Sequence, residues 1–186
     1  RGVVQNEKRQ GENQPYGRVF TYLVEQTYPA AHPYSWSVIG SMEDLSAASI
    51  DDVRSFFGKW YAPENAILVV VGDFSTKAMK GQIERWYSDV PGRGAVDKPK
   101  PVPATLLGEK RLVIEDAQAP FGMLQMVWPT VEQYHPDDAN LDLLAAVLGG
   151  GAGSRLTKRL VHELQIAQQV NVYQGSMERA GSFNIV

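Results

Sequence analysis

One short segment of the 186-residue sequence limits the possible folds more than any other part. From Ala66 to Val71 every residue is apolar, and Gly72 and Asp73 follow directly. A strand that is covered on one face alternates apolar and polar residues, whereas a strand that is covered on both faces is apolar throughout. The segment therefore predicts a buried strand inside a sheet.

Amphipathic helices are predicted on both sides of this segment. Ser49 begins a capping-box pattern, and apolar residues follow it at helical spacing. These residues are Ile50, Val53, Phe56, Phe57 and Trp60. Ser75 begins a second helix, whose apolar side is formed by Met79, Ile83, Trp86 and Tyr87. A strand between two such helices is typical of a mixed α+β fold.

Further elements follow from the same patterns. Additional helices are predicted at residues 3–10, 16–26, 137–148 and 154–164. Additional strands are predicted at residues 111–115, 122–128, 169–174 and 181–186. The alternation of helices and strands again indicates an α+β fold.

The chain is predicted to contain parts of two domains. Residues 91–107 hold four prolines and two glycines without periodicity, which is typical of an inter-domain linker. The sequence begins with Arg1 rather than Met and ends inside a predicted strand, so we expect both ends to be cut within larger domains. The predicted division is therefore 1–90, the linker 91–107, and 108–186.

Composition excludes several classes of protein. Lys and Arg total 18 while Asp and Glu total 21, so the net charge is −3 and no basic face for nucleic acid is expected. The longest apolar run, Ala66 to Val71, is far shorter than the roughly 20 residues that a membrane span needs. Because the sequence has no cysteine, a metal would have to be bound by His, Asp or Glu.

Two motifs suggest a ligand site but have simpler interpretations. The run from Gly149 to Gly153 is similar to a phosphate-binding loop, although it follows a predicted helix and lacks the lysine of such loops. His162-Glu163 suggests a zinc-protease helix, although Ile166 occupies the position of the second histidine. We interpret them as a turn between helices and a solvated helix end, with a nucleotide-binding domain as the alternative for the glycine run.

Other polar residues are interpreted as structural. His32 and His135 each precede a proline, and residues in this position usually serve turns. Asp51-Asp52 and Asp137-Asp138 could be paired catalytic carboxylates, but both pairs lie in the first turn of a predicted helix. Negative charge is favourable there, so a capping role is sufficient.

Glu7 is the most unusual residue of the sequence. In a helix over residues 3–10 it lies four residues after Val3 and three after Val4, which places it on the apolar face. A carboxylate buried without a partner would cost on the order of several kcal/mol. An inward Glu7 therefore requires a cation, a hydrogen-bond network or a metal, and exposure to solvent is the alternative.

Several short motifs follow one another in a specific order. They are Arg1 to Gln10 with Asn13 to Gly17, His32-Pro33-Tyr34 with Ile39-Gly40, Asp51-Asp52 with Phe56 and Tyr61, Asn65 to Asp73, and Leu148-Gly149-Gly150 with Ser154-Arg155-Leu156. Their order and spacing resemble those of the pitrilysin/insulinase-type (M16) zinc metallopeptidases over essentially the whole chain. The resemblance implies an M16-like (LuxS/MPP-like) α+β fold, in which helices pack mainly on one side of each sheet. It implies that residues 1–90 are the C-terminal part of a first M16-type domain and residues 108–186 the N-terminal part of a second, homologous domain.

The resemblance also implies a role for Glu7. In that family a His-x-x-Glu-His motif lies upstream, and a glutamate from a following helix completes a His₂Glu zinc site. Glu7 matches this third ligand, so the parent protein is expected to be a zinc-dependent endopeptidase that hydrolyses peptides or small unfolded proteins. The two histidines and the general base are missing from this sequence. We therefore expect the chain alone to bind no catalytic zinc and to be inactive.

A second family feature is missing. In many members an Arg and a Tyr on either side of a turn in the second domain help to hold substrate, and Val161 and Gln168 occupy these positions here. We therefore expect a second M16-like subunit to supply the pair. The alternative function is a non-catalytic M16-like scaffold or partner subunit. The subfamily resemblance and the absence of cysteine suggest the bacterial periplasm or cell envelope.

Overall fold

A computed structural model describes residues 1–97 and 104–186, which form two compact units. Residues 43–97 and Arg1 belong to one unit, and residues 2–42 and 104–186 belong to the other. The division at a linker over 91–107 stays a prediction, and residues 98–103 of that linker lie outside the described residues.

Two helices open the chain, as the sequence predicts. Helix α1 spans Gly2–Glu12 and helix α2 spans Val19–Thr27. The turn between them is held by Tyr16, whose N–H donates to the Asp116 carboxylate at 2.8 Å and whose hydroxyl donates to the Phe121 carbonyl at 2.8 Å. Together with an N–H of Gln118, the Tyr16 N–H holds the pKa of Asp116 below its ordinary value.

Three helices lie in the middle of the chain. The short helix α3, which the sequence analysis missed, spans Met42–Ala47; α4 spans Ile50–Trp60 and α5 spans Thr76–Tyr87. The predicted capping box of α4 is confirmed, because the N–H of Asp52 donates to the Ser49 hydroxyl and the N–H of Ser49 donates to the Asp52 carboxylate. The N–H of Ser49, and then its hydroxyl, which donates to the Asp52 carboxylate at 2.7 Å, lower the pKa of Asp52.

The prediction of a buried strand at Ala66 to Val71 is wrong for this structure. The segment forms no strand and pairs with none of the strands in the described residues, and every one of its side chains is exposed. A strand needs a neighbour to satisfy its N–H and C=O groups, and no described part of this unit provides one. The apolar residues therefore favour a strand locally, but the described part of this unit has no second strand for it to pair with.

The second half of the chain contains a small sheet. Strand β1 spans Met126–Thr130, helix α6 spans Asp138–Gly149, β2 spans Val172–Ser176 and β3 spans Gly181–Ile185. The strands are antiparallel in the order β1-β3-β2, so β3 is central. A π-helix at Thr157–Glu163 replaces most of the helix that was predicted at residues 154–164. These elements confirm the predicted α+β fold.

Helix α6 and the sheet enclose the main hydrophobic core. Ala145 of α6, Val172 of β2 and Phe183 of β3 are all buried. Val172 is paired with Ile185, and Phe183 lies two residues before Ile185, so these three side chains share one face of the sheet. Five partly buried residues complete the cluster: Leu141, Leu148, Leu156, Val170 and Ile185.

Other strand predictions require correction. Residues 111–115 form no strand and are mostly exposed, and the strand that was predicted at 122–128 begins only at Met126. In the described sheet β1 pairs only with β3, so the segment before it has no ladder to join. Polar contacts fix that segment instead, among them Lys110 Nζ on the Gln26 carbonyl at 2.8 Å. Within residues 1–97 and 104–186, no helix is long and apolar enough to cross a membrane.

Candidate functional site

Helix α1 carries the candidate metal ligand. Three of its charged residues have partners on the same helix: Lys8 lies 2.9 Å from the Glu12 carboxylate, and Arg9 donates to the Asn6 side chain at 2.8 Å. The carboxylate of Glu7 makes no hydrogen bond or ion pair with any described residue, and the side chain is exposed. Its carboxylate is therefore available to a group from outside the described residues.

The expectation that Glu7 faces the interior of this chain is wrong. Lys8 is the buried residue of α1, at 9% exposure, whereas Val3 is 81% exposed. The aliphatic stem of Lys8 can be buried because its ammonium still reaches the Glu12 carboxylate. With Lys8 on the inner face of α1, Glu7 and Val3 lie on the outer face. The role of Glu7 as a metal ligand stays a prediction.

The donor set around Glu7 fits only part of a zinc site. A carboxylate is a suitable zinc ligand, but structural and catalytic zinc sites need three or four protein ligands. No group of three His, Asp or Glu side chains that could hold a metal occurs among the described residues. Glu7 can therefore contribute one ligand to a site whose other ligands come from elsewhere.

The glycine run after α6 is explained by packing. A Cβ on Gly149 would clash with the side chain of Val172, and one on Gly150 would lie 2.7 Å from the Ala146 carbonyl oxygen. The end of α6 can therefore approach β2 only if position 149 lacks a side chain, and position 150 lacks one because the backbone of α6 itself lies close. The Ser154 hydroxyl donates to the Thr157 hydroxyl at 2.9 Å. The proton of the Ser154 hydroxyl is therefore not available to a bound phosphate. The geometry favours the turn interpretation over nucleotide binding.

The π-helix carries the second candidate motif. His162 and Glu163 are exposed, and Glu163 pairs with Arg159 at 2.9 Å one turn away. This arrangement fits a solvated helix end. Of the two positions aligned with the family's Arg and Tyr, Val161 is partly buried and Gln168 is exposed. Neither side chain carries a charge or a hydroxyl that could stabilise a reacting group.

Both His-Pro sequences form the same local turn. The N–H of Tyr34 donates to Nδ1 of His32 at 3.0 Å, and the N–H of Asp137 donates to Nδ1 of His135 at 3.2 Å. In each case a backbone N–H two residues later satisfies the ring nitrogen. The predicted turn role therefore accounts for both histidines, and neither is available as a metal ligand through Nδ1.

His32 is more deeply buried than the sequence analysis anticipated. Its ring stacks on Tyr28 with centroids 4.8 Å apart and lies 5.0 Å from the ring of Tyr34. The side chain is fully enclosed, and its Nε2 has no hydrogen-bond partner in the described part of the chain. Burial, and then the positive charge of Arg179, lower its pKa from the ordinary 6.5. The only sequence signal for this cluster is the density of aromatic residues around the His-Pro pair.

The lowered pKa predicts a pH dependence of stability. In the unfolded chain the ring takes up a proton near its ordinary pKa of 6.5, whereas the folded chain resists protonation. The free energy of unfolding should therefore be fully retained above pH 6.5 and should fall as the pH drops through 6.5 toward the lower folded pKa. Urea unfolding between pH 7.5 and 5 measures this slope.

A matched pair of variants isolates the contribution of His32. His32→Gln should flatten the decline in stability between pH 7.5 and 5, because the titrating ring is removed. His162→Gln, at an exposed position, should leave the slope unchanged. An equal slope in the wild type and His32→Gln would show that His32 does not drive the pH dependence.

Comparisons with known proteins place these features in context. Residues 47–186 match the family model described as Peptidase M16 inactive domain. Zinc protease PqqE of Helicobacter pylori is 27% identical over 172 residues, which cover 91% of this chain and 38% of that protein. The crystal structure of a protease from Helicobacter pylori superposes with a TM-score of 0.79 at 24% identity, covering 99% of this chain and 45% of that one.

A third similar protein is a periplasmic protease. The periplasmic protease PqqL from Escherichia coli superposes with a TM-score of 0.68 at 17% identity, covering 99% of this chain and 21% of that protein. The chain thus spans less than half of the length of each of these three relatives.

Proposed function

Because this chain belongs to the M16 peptidase family, we propose that it is part of a zinc-dependent endopeptidase that hydrolyses peptides or small unfolded proteins. The observation that carries the proposal is the Glu7 carboxylate, which is exposed and has no partner among the described residues. Relatives that are named zinc proteases support the metal and the reaction.

Glu7 is proposed to be one of three protein ligands of the zinc ion. A zinc ion held there would supply an acidified water as the nucleophile for peptide hydrolysis. The chain's own task is to present the carboxylate from α1, where the Lys8–Glu12 and Arg9–Asn6 contacts leave it uncommitted. The remaining ligands and the general base belong to the upstream His-x-x-Glu-His motif.

The part of the chain after α3 is proposed to be non-catalytic. Residues 47–186 match a domain described as inactive, and Val161 and Gln168 cannot replace the family's Arg and Tyr. A second M16-like subunit is proposed to supply that pair. The periplasmic location of PqqL supports a cell-envelope location for the whole protein.

An activity assay tests the proposal. The full-length gene product that contains this chain, together with its partner subunit, should cleave unfolded peptides, and a zinc chelator should abolish the cleavage. The 186-residue chain alone should show no chelator-sensitive cleavage. Activity of the isolated chain would refute the assignment of the catalytic base to the upstream motif.

A non-catalytic scaffold or partner subunit is the second candidate function. It is favoured by the description of the matched domain as inactive. The two candidates differ in metal content, because the scaffold has no need of zinc. A full-length gene product without His-x-x-Glu-His upstream of Arg1, and without bound zinc, would favour the scaffold.

A further inference from the structure

The turn after helix α1 is attached to a distant part of the chain through Tyr16. The N–H of Tyr16 donates to the carboxylate of Asp116, 100 residues away in the sequence, at 2.8 Å. The Tyr16 hydroxyl donates to the Phe121 carbonyl at 2.8 Å and accepts the N–H of Phe121 at 3.3 Å. Tyr16 is therefore held both by its backbone and by its side chain. We call Tyr16, Asp116 and Phe121 the Tyr16 clamp.

The backbone of Tyr16 has a conformation that requires such contacts. Its φ is +62°, in the left-handed region that residues with bulky side chains rarely adopt. Residues persist in this region where surrounding contacts hold them there, and they are frequent at functional sites. The bonds to Asp116 and Phe121 are contacts of this kind.

Asp116 is itself held in place for this contact. Its second carboxylate oxygen accepts the N–H of Gln118 at 2.9 Å, within its own loop. The Arg18 guanidinium donates to the Glu115 carbonyl at 3.2 Å, which adds another link between the same two segments. The loop thus presents a fixed carboxylate to the N–H of Tyr16.

Gly17 connects the clamp to the end of α1. A Cβ on Gly17 would clash with the carbonyl oxygen of Gly11, so the residue after Tyr16 lies directly against the last turn of the helix. The N–H of Gln14 donates to the same carbonyl at 3.2 Å. This close packing leaves little room for α1 to tilt relative to the clamp.

Helix α1 depends on a restraint of this kind. It has 11 residues, and isolated helices of this length are marginally stable in water. Glu7 lies five residues before the end of the helix, which is about 7–8 Å along the helix axis. A tilt at the end of α1 therefore displaces the Glu7 carboxylate, whereas a metal site requires its ligands to be held within about 0.5 Å.

We propose that the Tyr16 clamp positions α1, so that Tyr16 and Asp116 are positioning residues for the Glu7 carboxylate. Both residues act through the helix and not on the metal itself. This inference rests on the proposed function, because it concerns the metal site to which Glu7 is proposed to belong. It adds that a residue from the second half of the chain, Asp116, controls the position of a ligand near its start.

Hydrogen–deuterium exchange on the zinc-free full-length gene product tests the clamp without measuring activity. Asp116→Ala removes the acceptor of the Tyr16 N–H and should raise the exchange rate of the amides of residues 6–12 by at least about tenfold. Glu115→Ala is the matched control, because the exposed Glu115 serves this region through its backbone carbonyl, which the change keeps. It should leave the exchange unchanged. Equal exchange in wild type and Asp116→Ala would overturn the inference.

Metal binding by the full-length gene product tests whether the clamp positions Glu7. Asp116→Ala should weaken zinc binding by about 10- to 100-fold, which is the usual cost of losing a residue that orients a ligand. With cobalt(II) in place of zinc, the visible absorption spectrum of each bound ion should change as well, because it depends on the ligand geometry. A purely structural role would lower the folded fraction and leave that spectrum unchanged, and this result would overturn the positioning role.

Failure of the inference can be distinguished from failure of the proposed function. A wild-type protein that binds no zinc would refute the proposed function, and the role of Glu7 with it. Normal zinc binding by the wild type, with an unchanged affinity and cobalt spectrum in Asp116→Ala, would overturn the inference alone. Tyr16→Phe removes only the hydroxyl and decides the matter if Asp116→Ala fails to fold; it should change both the exchange rate and the zinc affinity by at least about threefold.

Discussion

Replacing Glu7 by Gln in the full-length gene product is expected to weaken zinc binding by more than about a hundredfold. Removal of a residue that only orients a ligand costs about 10- to 100-fold in affinity, and Glu7 is proposed to be a ligand itself. The amide of Gln keeps the size and the helix preference of Glu but loses the negative charge. Competition with a chromogenic chelator measures the change.

Glu12 provides the matched control for this experiment. It lies on the same helix α1, but its carboxylate is occupied by Lys8 at 2.9 Å. Glu12→Gln should therefore leave the zinc affinity within about threefold of the wild type, because this change alters stability rather than the metal site. Equal losses in both variants would mean that α1 affects zinc only through folding.

Truncating Phe183 to Ala in the 186-residue chain is expected to lower the free energy of unfolding by about 3–5 kcal/mol. Phe183 is 7% exposed on the central strand β3, between Ala145 of α6 and its cross-strand neighbour Trp128, whose ring lies 6.4 Å away. Its removal leaves a cavity where the sheet meets α6. Urea unfolding monitored by tryptophan fluorescence measures the loss.

Phe20 is the matched control for Phe183. It lies on α2 and is 62% exposed, so Phe20→Ala removes the same atoms from a site that is largely in water. The expected change is at most about 0.5–1 kcal/mol. If Phe183→Ala were as mild as Phe20→Ala, the packing of α6 on β3 would not be the core of this unit.

Features that depend on nearby residues could be predicted from the sequence. The capping box between Ser49 and Asp52 spans one helical turn, and its residues alone determine its bonds. The turn at Gly149 was assigned because it follows a helix, and its packing against Val172 explains the glycine there. Both interpretations need only the local order of residue types.

Features that depend on distant partners could not be predicted. The apolar segment Ala66 to Val71 indicates a strand, but no residue in it shows where the neighbouring strands lie. The predicted orientation of Glu7 is wrong because Val3 and Val4 indicate an apolar face, whereas the buried side chain of Lys8 shows which face of α1 turns inward. The lowered pKa of His32 arises first from its burial and then from the charge of Arg179, which is remote in the sequence.

The most direct test of the account is a zinc-loaded crystal structure of the full-length gene product. The account predicts that an oxygen of Glu7 lies about 2.0–2.2 Å from the metal, with two histidines from the upstream motif completing the protein ligands. A Glu7 carboxylate that points into solvent, away from any bound zinc, would contradict it.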